Sequence, residues 1–433
     1  MKYLSVNKES EPVTLKSAVF RNIAEDGGLY MPVTLPRMPD SFFRELPGKE
    51  IRDTAFEVIS RFLKAEVPVS VIKEITREVF DFPVPLVQIY DNVYTLELFH
   101  GPTMAFKDFG ARFMSRLMEY FNRGGRSVMK VIVATSGDTG SAVAAGFSGI
   151  PGVEVYVLFP RGRVSPLQQK QITTWGGNIN AISIEGSFDD CQKLARRALA
   201  DSDLNKGFTI TSANSINLAR LIPQSVYYFH AVAGLGEGGG APCFSVPCGN
   251  LGNITAGMMA GKMGLRTGRF IAATNSNDTL PEYCRTASFS PRKPVSTISN
   301  AMDVGDPSNF PRLLQLSGNE HKVFCNAVWS SSFTDKQTLD AIIRVRDDTG
   351  YIMDPHGAVA FLGLEKYLKE SGRGEVGIFL ETAHPAKFTE SLKGIADRIE
   401  MPPQLQMVIG REEKFTVLDN DWGSLKDYLM GST

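Results

Sequence analysis

Four short stretches place chemistry-bearing residues near turns between strand-like and helix-like runs. The first is His100-Gly-Pro-Thr-Met-Ala-Phe-Lys-Asp-Phe-Gly110. Phe106, Gly110, Phe113, Met114 and Leu117 recur at helical spacing, so a helix with an apolar face begins here. Lys107 falls in its first turn. The positive end of a helix dipole disfavours an ammonium there and lowers the lysine pKa. A lysine so placed can act as a nucleophile or bond a carbonyl. For a lone lysine, an exposed residue pairing with a nearby acid is the commoner reading.

The second stretch is Ser245-Val-Pro-Cys-Gly-Asn-Leu-Gly-Asn253. A strand ends at Val246 and a helix opens near Asn253. Gly249 and Gly252 allow strained backbone angles and a close approach to a ligand. Asn250 and Asn253 offer amide donors, and the helix start adds free N–H groups and a positive dipole end. On spacing alone this is either a phosphate cradle or an ordinary strand–helix turn. The third stretch, Ala134-Thr-Ser-Gly-Asp-Thr-Gly-Ser-Ala142, has the same form. Its N–H groups and the hydroxyls of Thr135, Ser136 and Thr139 suit a carboxylate or phosphate, or simply cap a helix. Asp138 would repel an anion unless it faces elsewhere. The fourth, Gly377-Ile-Phe-Leu-Glu-Thr-Ala-His-Pro-Ala-Lys387, ends a buried strand at hydroxyl-bearing Thr382. The carboxyl end of a parallel strand is where open α/β sheets bind ligands.

Several other readings fall away. Gly234–Gly240 (GLGEGGG) follows a helix and precedes a strand, the reverse of a dinucleotide fingerprint. No P-loop, H-E-x-x-H or G-x-S-x-G occurs, and the five His are scattered, so no metal is expected. Lys+Arg is 46 and Asp+Glu 47. A net charge of -1 argues against nucleic acid as a partner. Five widely spaced Cys read as buried free thiols of a reducing compartment. MKYLSVNKESEP has no apolar signal core, and no run of apolar residues is long enough to span a membrane. The expected location is cytoplasmic. No coiled-coil heptads specify an assembly, which leaves monomer or homodimer.

These stretches need a scaffold. The 433 residues, 43% hydrophobic and 21% charged, are enough for two or three globular domains. Apolar runs at Val93–Phe99, Lys130–Ala134, Glu154–Phe159, Ile179–Ile184, Phe208–Thr211, Cys243–Val246, Arg269–Ala273 and Gly377–Leu380 read as strands. Helical patterns separate many of them. One is capped by Ser187 with Asp190 at the third position, one starts near Ser215, and one is capped by Asp354 before Pro355. This alternation predicts an α/β protein of mostly parallel sheets. Helical patterns at 51–64 and 70–80 predict a helical N-terminal segment.

HGPTMAFKDFGARFM, ATSGDTGSA, SANSINLARLIPQ, CGNLGN and ETAHPAKF, in this order, resemble threonine synthases. These are pyridoxal-phosphate enzymes of the tryptophan-synthase-β, or fold-type II, group. DGGLYMP near the N-terminus is similar to that family too. The resemblance runs from about residue 20 to about 390. It implies two open, mostly parallel α/β lobes. The expected organisation is an N-terminal segment at 1–92, a large cofactor-binding domain at 93–108 and 215–400, a smaller domain at 109–214, and a C-terminal extension at 401–433.

The resemblance also implies roles. Lys107 matches the lysine that forms a Schiff base with pyridoxal 5'-phosphate. Gly249, Asn250, Leu251, Gly252 and Asn253 match the cradle of the cofactor phosphate. Thr382 matches the hydroxyl that meets the pyridine nitrogen. Thr135, Ser136, Gly137, Asp138 and Thr139 match the loop that holds the amino-acid carboxylate. Arg220 matches an arginine facing the substrate phosphate, with Asn214 and Asn217 nearby and Arg161 and Arg163 as further positive charge. The implied substrate is O-phospho-L-homoserine and the products are L-threonine and phosphate. A dehydratase or phospho-amino-acid lyase of the same fold, or a cofactor-binding protein without catalysis, is the alternative. Two positions depart from the pattern. Asn253 stands where some relatives carry Asp. Glu381 stands where a small residue is frequent, and strand alternation is expected to turn it away while Thr382 faces the ring.

Overall fold

The computed structural model describes every residue except 126, 237–239, 373, 393, 396, 397, 432 and 433. Its strands, in chain order, are β1 (Tyr3–Ser5), β2 (Tyr30–Pro32), β3 (Leu86–Tyr90), β4 (Val93–Glu97), β5 (Met129–Ala134), β6 (Val153–Pro160), β7 (Ile179–Glu185), β8 (Thr209–Ser212), β9 (Cys243–Pro247), β10 (Phe270–Thr274), β11 (Val328–Ser332), β12 (Gly377–Glu381) and β13 (Thr416–Asp419). The larger sheet runs β11-β10-β9-β12-β4-β3 and the smaller β13-β7-β6-β5-β8. All pairings in both are parallel except the β3–β4 hairpin. The α/β class of two mostly parallel sheets expected from the alternating runs is therefore present.

Continuous apolar runs make strands that bury both faces. Every residue of β5 and β12 is buried. Lys130 in β5 is the exception in chemistry. Its ammonium donates to Leu429 O (2.7 Å) and Tyr156 Oη (2.9 Å), fastening the C-terminal helix Trp422–Met430 under the smaller sheet. The segment after residue 400 is thus built into that sheet, with β13 paired along β7.

Local sequence signals account for the helix starts. Ser187 and Asp190 form the capping box over Phe188–Ala200. Asp354 caps Pro355–Ser371 through the N–H groups of His356 and Gly357. The pattern near Ser215 begins later, at Leu218, because Asn217 caps there. It then breaks into a 3₁₀ turn at Ile222–Gln224, since Pro223 lacks an N–H, and resumes as Ser225–Leu235. That last helix ends at Gly236 (φ 70°). Part of the Gly234–Gly240 stretch, residues 237–239, lies outside the described residues. The N-terminal helices Ile51–Leu63 and Val69–Val79 form as expected. Short strands β1 and β2 and the edge strand β3, which lack long apolar runs, were not expected.

The fold brings the four stretches together. In the larger sheet β12 inserts between β9 and β4, which reverses the strand order and opens a crevice at their carboxyl ends. Lys107 follows β4, Gly249–Asn253 follows β9 and Thr382 follows β12. The Thr135–Thr139 turn follows β5 and Asn214 follows β8 of the smaller sheet.

Candidate active site

A cavity of about 380 Å³ is lined by all of these segments. Lys107, Thr135, Ser136, Asp138, Thr139, Asn214, Arg220, Gly249, Asn250, Leu251, Gly252, Asn253 and Thr382 face it. Arg163 stands at its wall as well, whereas Arg161 pairs with Glu185. Gly137 and Asn217 do not line it, which corrects the expectation for both. Gly137 (φ 145°) packs against Gln168, where a Cβ would lie 2.5 Å from the side chain. Asn217 is buried. Its amide donates to Val19 O (2.9 Å) and Ser212 O (3.1 Å), and its oxygen accepts the Ala219 N–H.

Lys107 is the first residue of the helix Lys107–Asn122. Two backbone hydrogen bonds set its place, Phe106 N–H to Thr382 O (2.8 Å) and His384 N–H to Met104 O (3.1 Å). They zip the lysine stretch onto the stretch after β12. Asp108 closes the preceding loop by accepting the Thr103 N–H (2.9 Å) and hydroxyl (2.6 Å). The Lys107 side chain is 16% exposed and lies 3.7 Å from Asp138 Oδ2. Its pKa is lowered chiefly by burial, with Lys387 and Arg220 adding to the effect and Asp138 and Asp354 opposing it. The direction expected from the helix start holds, but the larger cause is desolvation.

The two anion-type loops differ. In the 134–142 loop, the Thr135 hydroxyl oxygen accepts the N–H groups of Gly137 (2.9 Å) and Gly140 (2.8 Å). Thr135 therefore shapes its own turn. Asp138 is buried and accepts from Lys387 Nζ (2.6 Å) and Gln168 Nε2 (2.9 Å). Burial alone would raise its pKa, but Lys387 and Lys107 hold it well below the usual carboxylate range. An ionised Asp138 among lysines is a poor holder of a substrate carboxylate, which corrects that assignment. Ser136 and Thr139 remain at the cavity wall. Asn214 is spent on tying strand ends together: its amide donates to Ala134 O (2.9 Å) and its oxygen accepts the Ser212 hydroxyl (3.1 Å).

The Gly249–Asn253 loop leaves donors open. Leu251, not a glycine, takes the left-handed conformation (φ 61°) before the helix Gly252–Lys262. Gly249 is required for closeness instead, because a Cβ there would lie 2.9 Å from Ala301 O and 3.0 Å from Met302 Cα. A Cβ on Gly252 would meet nothing nearer than 3.7 Å. Asn250 Oδ1 accepts the Ser308 hydroxyl (3.0 Å), which pins the loop from outside. Asn253 Oδ1 accepts the Tyr228 hydroxyl (2.8 Å), while its Nδ2 is buried with no partner. An orphaned donor beside an open helix start fits an anion. Arg220 is a second such group. Its Nη1 donates to Ala213 O (2.6 Å), its Nε is buried and unpartnered, and burial lowers its pKa to about 10.

The description "Pyridoxal-phosphate dependent enzyme" matches residues 84–382, "Threonine synthase N terminus" residues 2–80 and "Threonine synthase, C-terminal" residues 357–429. A threonine synthase of Serratia marcescens is 39% identical over 100% of this chain and 99% of its own. The chain belongs to the threonine synthase family. The crystal structure of the Escherichia coli threonine synthase superposes with a TM-score of 0.92 at 38% identity, covering 100% of both chains. A pyridoxal-phosphate-bound threonine synthase of Brucella melitensis gives 0.93 at 34%, covering 100% and 99%.

Pyridoxal phosphate is the cofactor of this threonine synthase family member, and the residues fit it. The open Asn253 donor and helix start suit its phosphate, Lys107 suits its aldehyde, and Thr382 lines the same cavity. Glu381 is buried behind the strand and does not line the cavity. Its Oε2 accepts the Asp354 N–H (3.2 Å), and burial followed by the Asp354 charge pushes its pKa well up. Alternation along β12 thus turns Glu381 away from the cavity that Thr382 faces. No helix among the described residues is long and apolar enough to cross a membrane.

Three site residues were missed by the motif reading: Lys387, Gln168 and His356. Lys387 sits in the quoted ETAHPAKF, and a lysine inside Pro-Ala-Lys-Phe just after a buried strand is itself a signal of a paired buried charge. Gln168 and His356 carry no comparable signal. His356 lines the cavity and is locked by Asp354, with Nδ1 to Oδ1 at 2.6 Å, and by the Ala301 N–H.

Proposed function

We propose that the chain converts O-phospho-L-homoserine and water to L-threonine and phosphate, the last step of threonine biosynthesis. One observation carries this reading. Asn253 and Arg220, which line the cavity together with Lys107, each keep a buried donor without a partner, Nδ2 and Nε. A cofactor phosphate uses the first. The second then needs a phosphate of the substrate, which a simple dehydratase lacks. The five free thiols support a reducing setting, the cytoplasm.

When bound, the cofactor acts as an electron sink for carbanions formed next to the substrate amine. With the cofactor held by Lys107, the substrate amine would take the lysine's place and leave the Lys107 amine free. The freed Lys107 amine, whose pKa is lowered by burial, removes the α proton and then a β proton, and protons are returned to Cγ and finally to Cα. Ser136 and Thr139 hold the substrate carboxylate. Arg220 holds the phosphate as it leaves Cγ and keeps it beside the carbon that takes up water. Asn253 and the start of the Gly252–Lys262 helix hold the cofactor phosphate.

The test is turnover of O-phospho-L-homoserine with release of phosphate, run beside O-phospho-L-threonine, serine and threonine. Lys107→Ala abolishes turnover and the visible absorbance of the cofactor-loaded protein. Arg220→Leu lowers kcat/KM for the phosphorylated substrate by about 100-fold or more, the value of a buried charge-assisted contact. Equal turnover of serine, or an Arg220→Leu protein as active as the parent, overturns the reading.

A further inference from the structure

The 3₁₀ turn Pro385–Phe388 carries a second lysine into the site, and the described chemistry does not use it. Its side chain is fully buried. Lys387 Nζ donates to Asp138 Oδ1 (2.6 Å) and to Thr103 O (2.9 Å). Asp138 in turn lies 3.7 Å from Lys107 through its other oxygen. The ammonium therefore joins three of the four stretches: the loop before Lys107, the turn after β5, and its own segment after β12. Gln168, from the helix Pro166–Thr173, completes the Asp138 oxygen from a fourth side.

We propose that Lys387 is a positioning residue for Lys107, acting through the Asp138 carboxylate that lies between them. The physical reason is charge balance in a buried place. Asp138 alone, so near Lys107, would hold it as an ammonium, because an opposite charge within a few ångströms favours the charged form. An ammonium cannot take a proton from substrate. Lys387 cancels that carboxylate from the far side, so Lys107 keeps an acidic neighbour without being locked in its charged form. A buried, fully desolvated lysine with one carboxylate and one carbonyl is otherwise a costly feature.

The other charged groups facing Lys107 do not supply this balance. Arg220 adds positive charge and Asp354 negative charge, each with less influence on Lys107 than Asp138 or Lys387. Asp108, the next residue, is turned onto Thr103. His356 is held by Asp354. Of the carboxylates among these groups, only Asp138 is within 4.0 Å of the Lys107 ammonium.

The proposal assigns opposite signs to two substitutions, which a purely structural role does not. Lys387→Gln leaves a net negative charge beside Lys107, so its pKa rises. Asp138→Asn removes the carboxylate, so its pKa falls. Asp138→Asn/Lys387→Gln restores the balance, and the pKa returns close to that of the parent. The measurement is made on the full chain freed of cofactor. Lys107 is labelled with an amine-acylating reagent across a pH series, and its modification is quantified by mass spectrometry. The midpoint is expected to shift up by about one pH unit in Lys387→Gln and down by a comparable amount in Asp138→Asn. The visible band of the cofactor-loaded proteins, titrated with pH, is expected to move in the same directions. If Lys387→Gln does not fold, the parent, Asp138→Asn and the double variant still decide the matter. A midpoint in Asp138→Asn that stays at the parent value or rises overturns the proposal. So does a double variant no closer to the parent than Asp138→Asn, or a pair of single variants that shift the same way.

Discussion

The turns after β5 and β9 are built on one plan, a buried strand running into a Gly-rich loop and a helix start, yet they end in opposite states. The turn after β5 satisfies itself. Thr135 takes up the loop's own N–H groups, and a buried carboxylate, Asp138, is paired with Lys387 and stands beside Lys107. The turn after β9 is held from outside by Tyr228 and Ser308 and keeps a buried donor, Asn253 Nδ2, without a partner. The first is a charge-balanced wall and the second keeps a buried donor open. A strand–loop–helix turn is therefore only an opportunity for anion binding. What its polar groups find when the chain closes decides whether it is used.

The difference can be broken most strongly at Asp138. Asp138→Ala leaves Lys387 buried without its carboxylate and lowers stability by about 3–5 kcal/mol, read as a shift in the urea midpoint of the cofactor-free chain. At Asn253 the corresponding change acts on binding. Asn253→Asp keeps the oxygen that accepts from Tyr228 but puts a carboxylate where the open donor stood. Cofactor affinity falls by about 10–100-fold, the range of a hydrogen bond to a charged group, measured by titrating the cofactor-free chain and following the visible band. Stability without cofactor changes far less than in Asp138→Ala. An Asn253→Asp protein that binds cofactor as tightly as the parent would erase the distinction between the loops.

The two glycines of the second loop separate next. Gly249→Ala drives a methyl into backbone atoms of Ala301 and Met302 and destabilises by about 1–3 kcal/mol. Gly252→Ala meets only ordinary contacts and stays within about 0.5 kcal/mol of the parent. Paired thermal melts measure both.

A further effect is on pH dependence. Asp303, which lines the cavity roof over the second loop, accepts from Thr297 and Asn275, and burial pushes it up to about 6. Its folded pKa lies above its unfolded value. Its share of stability is therefore present below about pH 4 and is lost as pH rises through about 6. Asp138 has the opposite sign: its folded pKa is depressed, so its share is present above about pH 4 and is lost as pH falls below that. Asp303→Asn flattens the fall in stability between about pH 4 and about pH 6 by about 1 kcal/mol, after allowing for the exposed part of the group. Unfolding midpoints taken across that range check it.

Much of this was legible in the chain. Continuous apolar runs marked most strands of the two large sheets because a parallel strand covered on both faces needs apolar side chains at every position. The missed strands show the limit. β13 has exposed Val417 and Asp419, so it lacks a buried strand's pattern and exists because β7 offers it an edge. Lys107, Thr382 and Asn253, each in a stretch that follows a strand of the larger sheet, line the cavity. Asn217 and Gly137 stand in the same kind of position and face away. Position in a motif selects a neighbourhood but not a side-chain direction.

The sequence by itself determined the α/β class, the turns that carry polar groups at strand ends, and the lysine at a helix start. These depend on local periodicity, capping and the absence of an N–H or a Cβ, all written within a few residues. Tertiary structure alone decided which donors stay open and which charges are cancelled. Lys387 reaches Asp138 across 249 positions of chain, and Tyr228 rather than water holds Asn253. Burial strengthens each such pairing and each missing one. The reactivity of Lys107 therefore rests on neighbours that only the folded chain brings within reach.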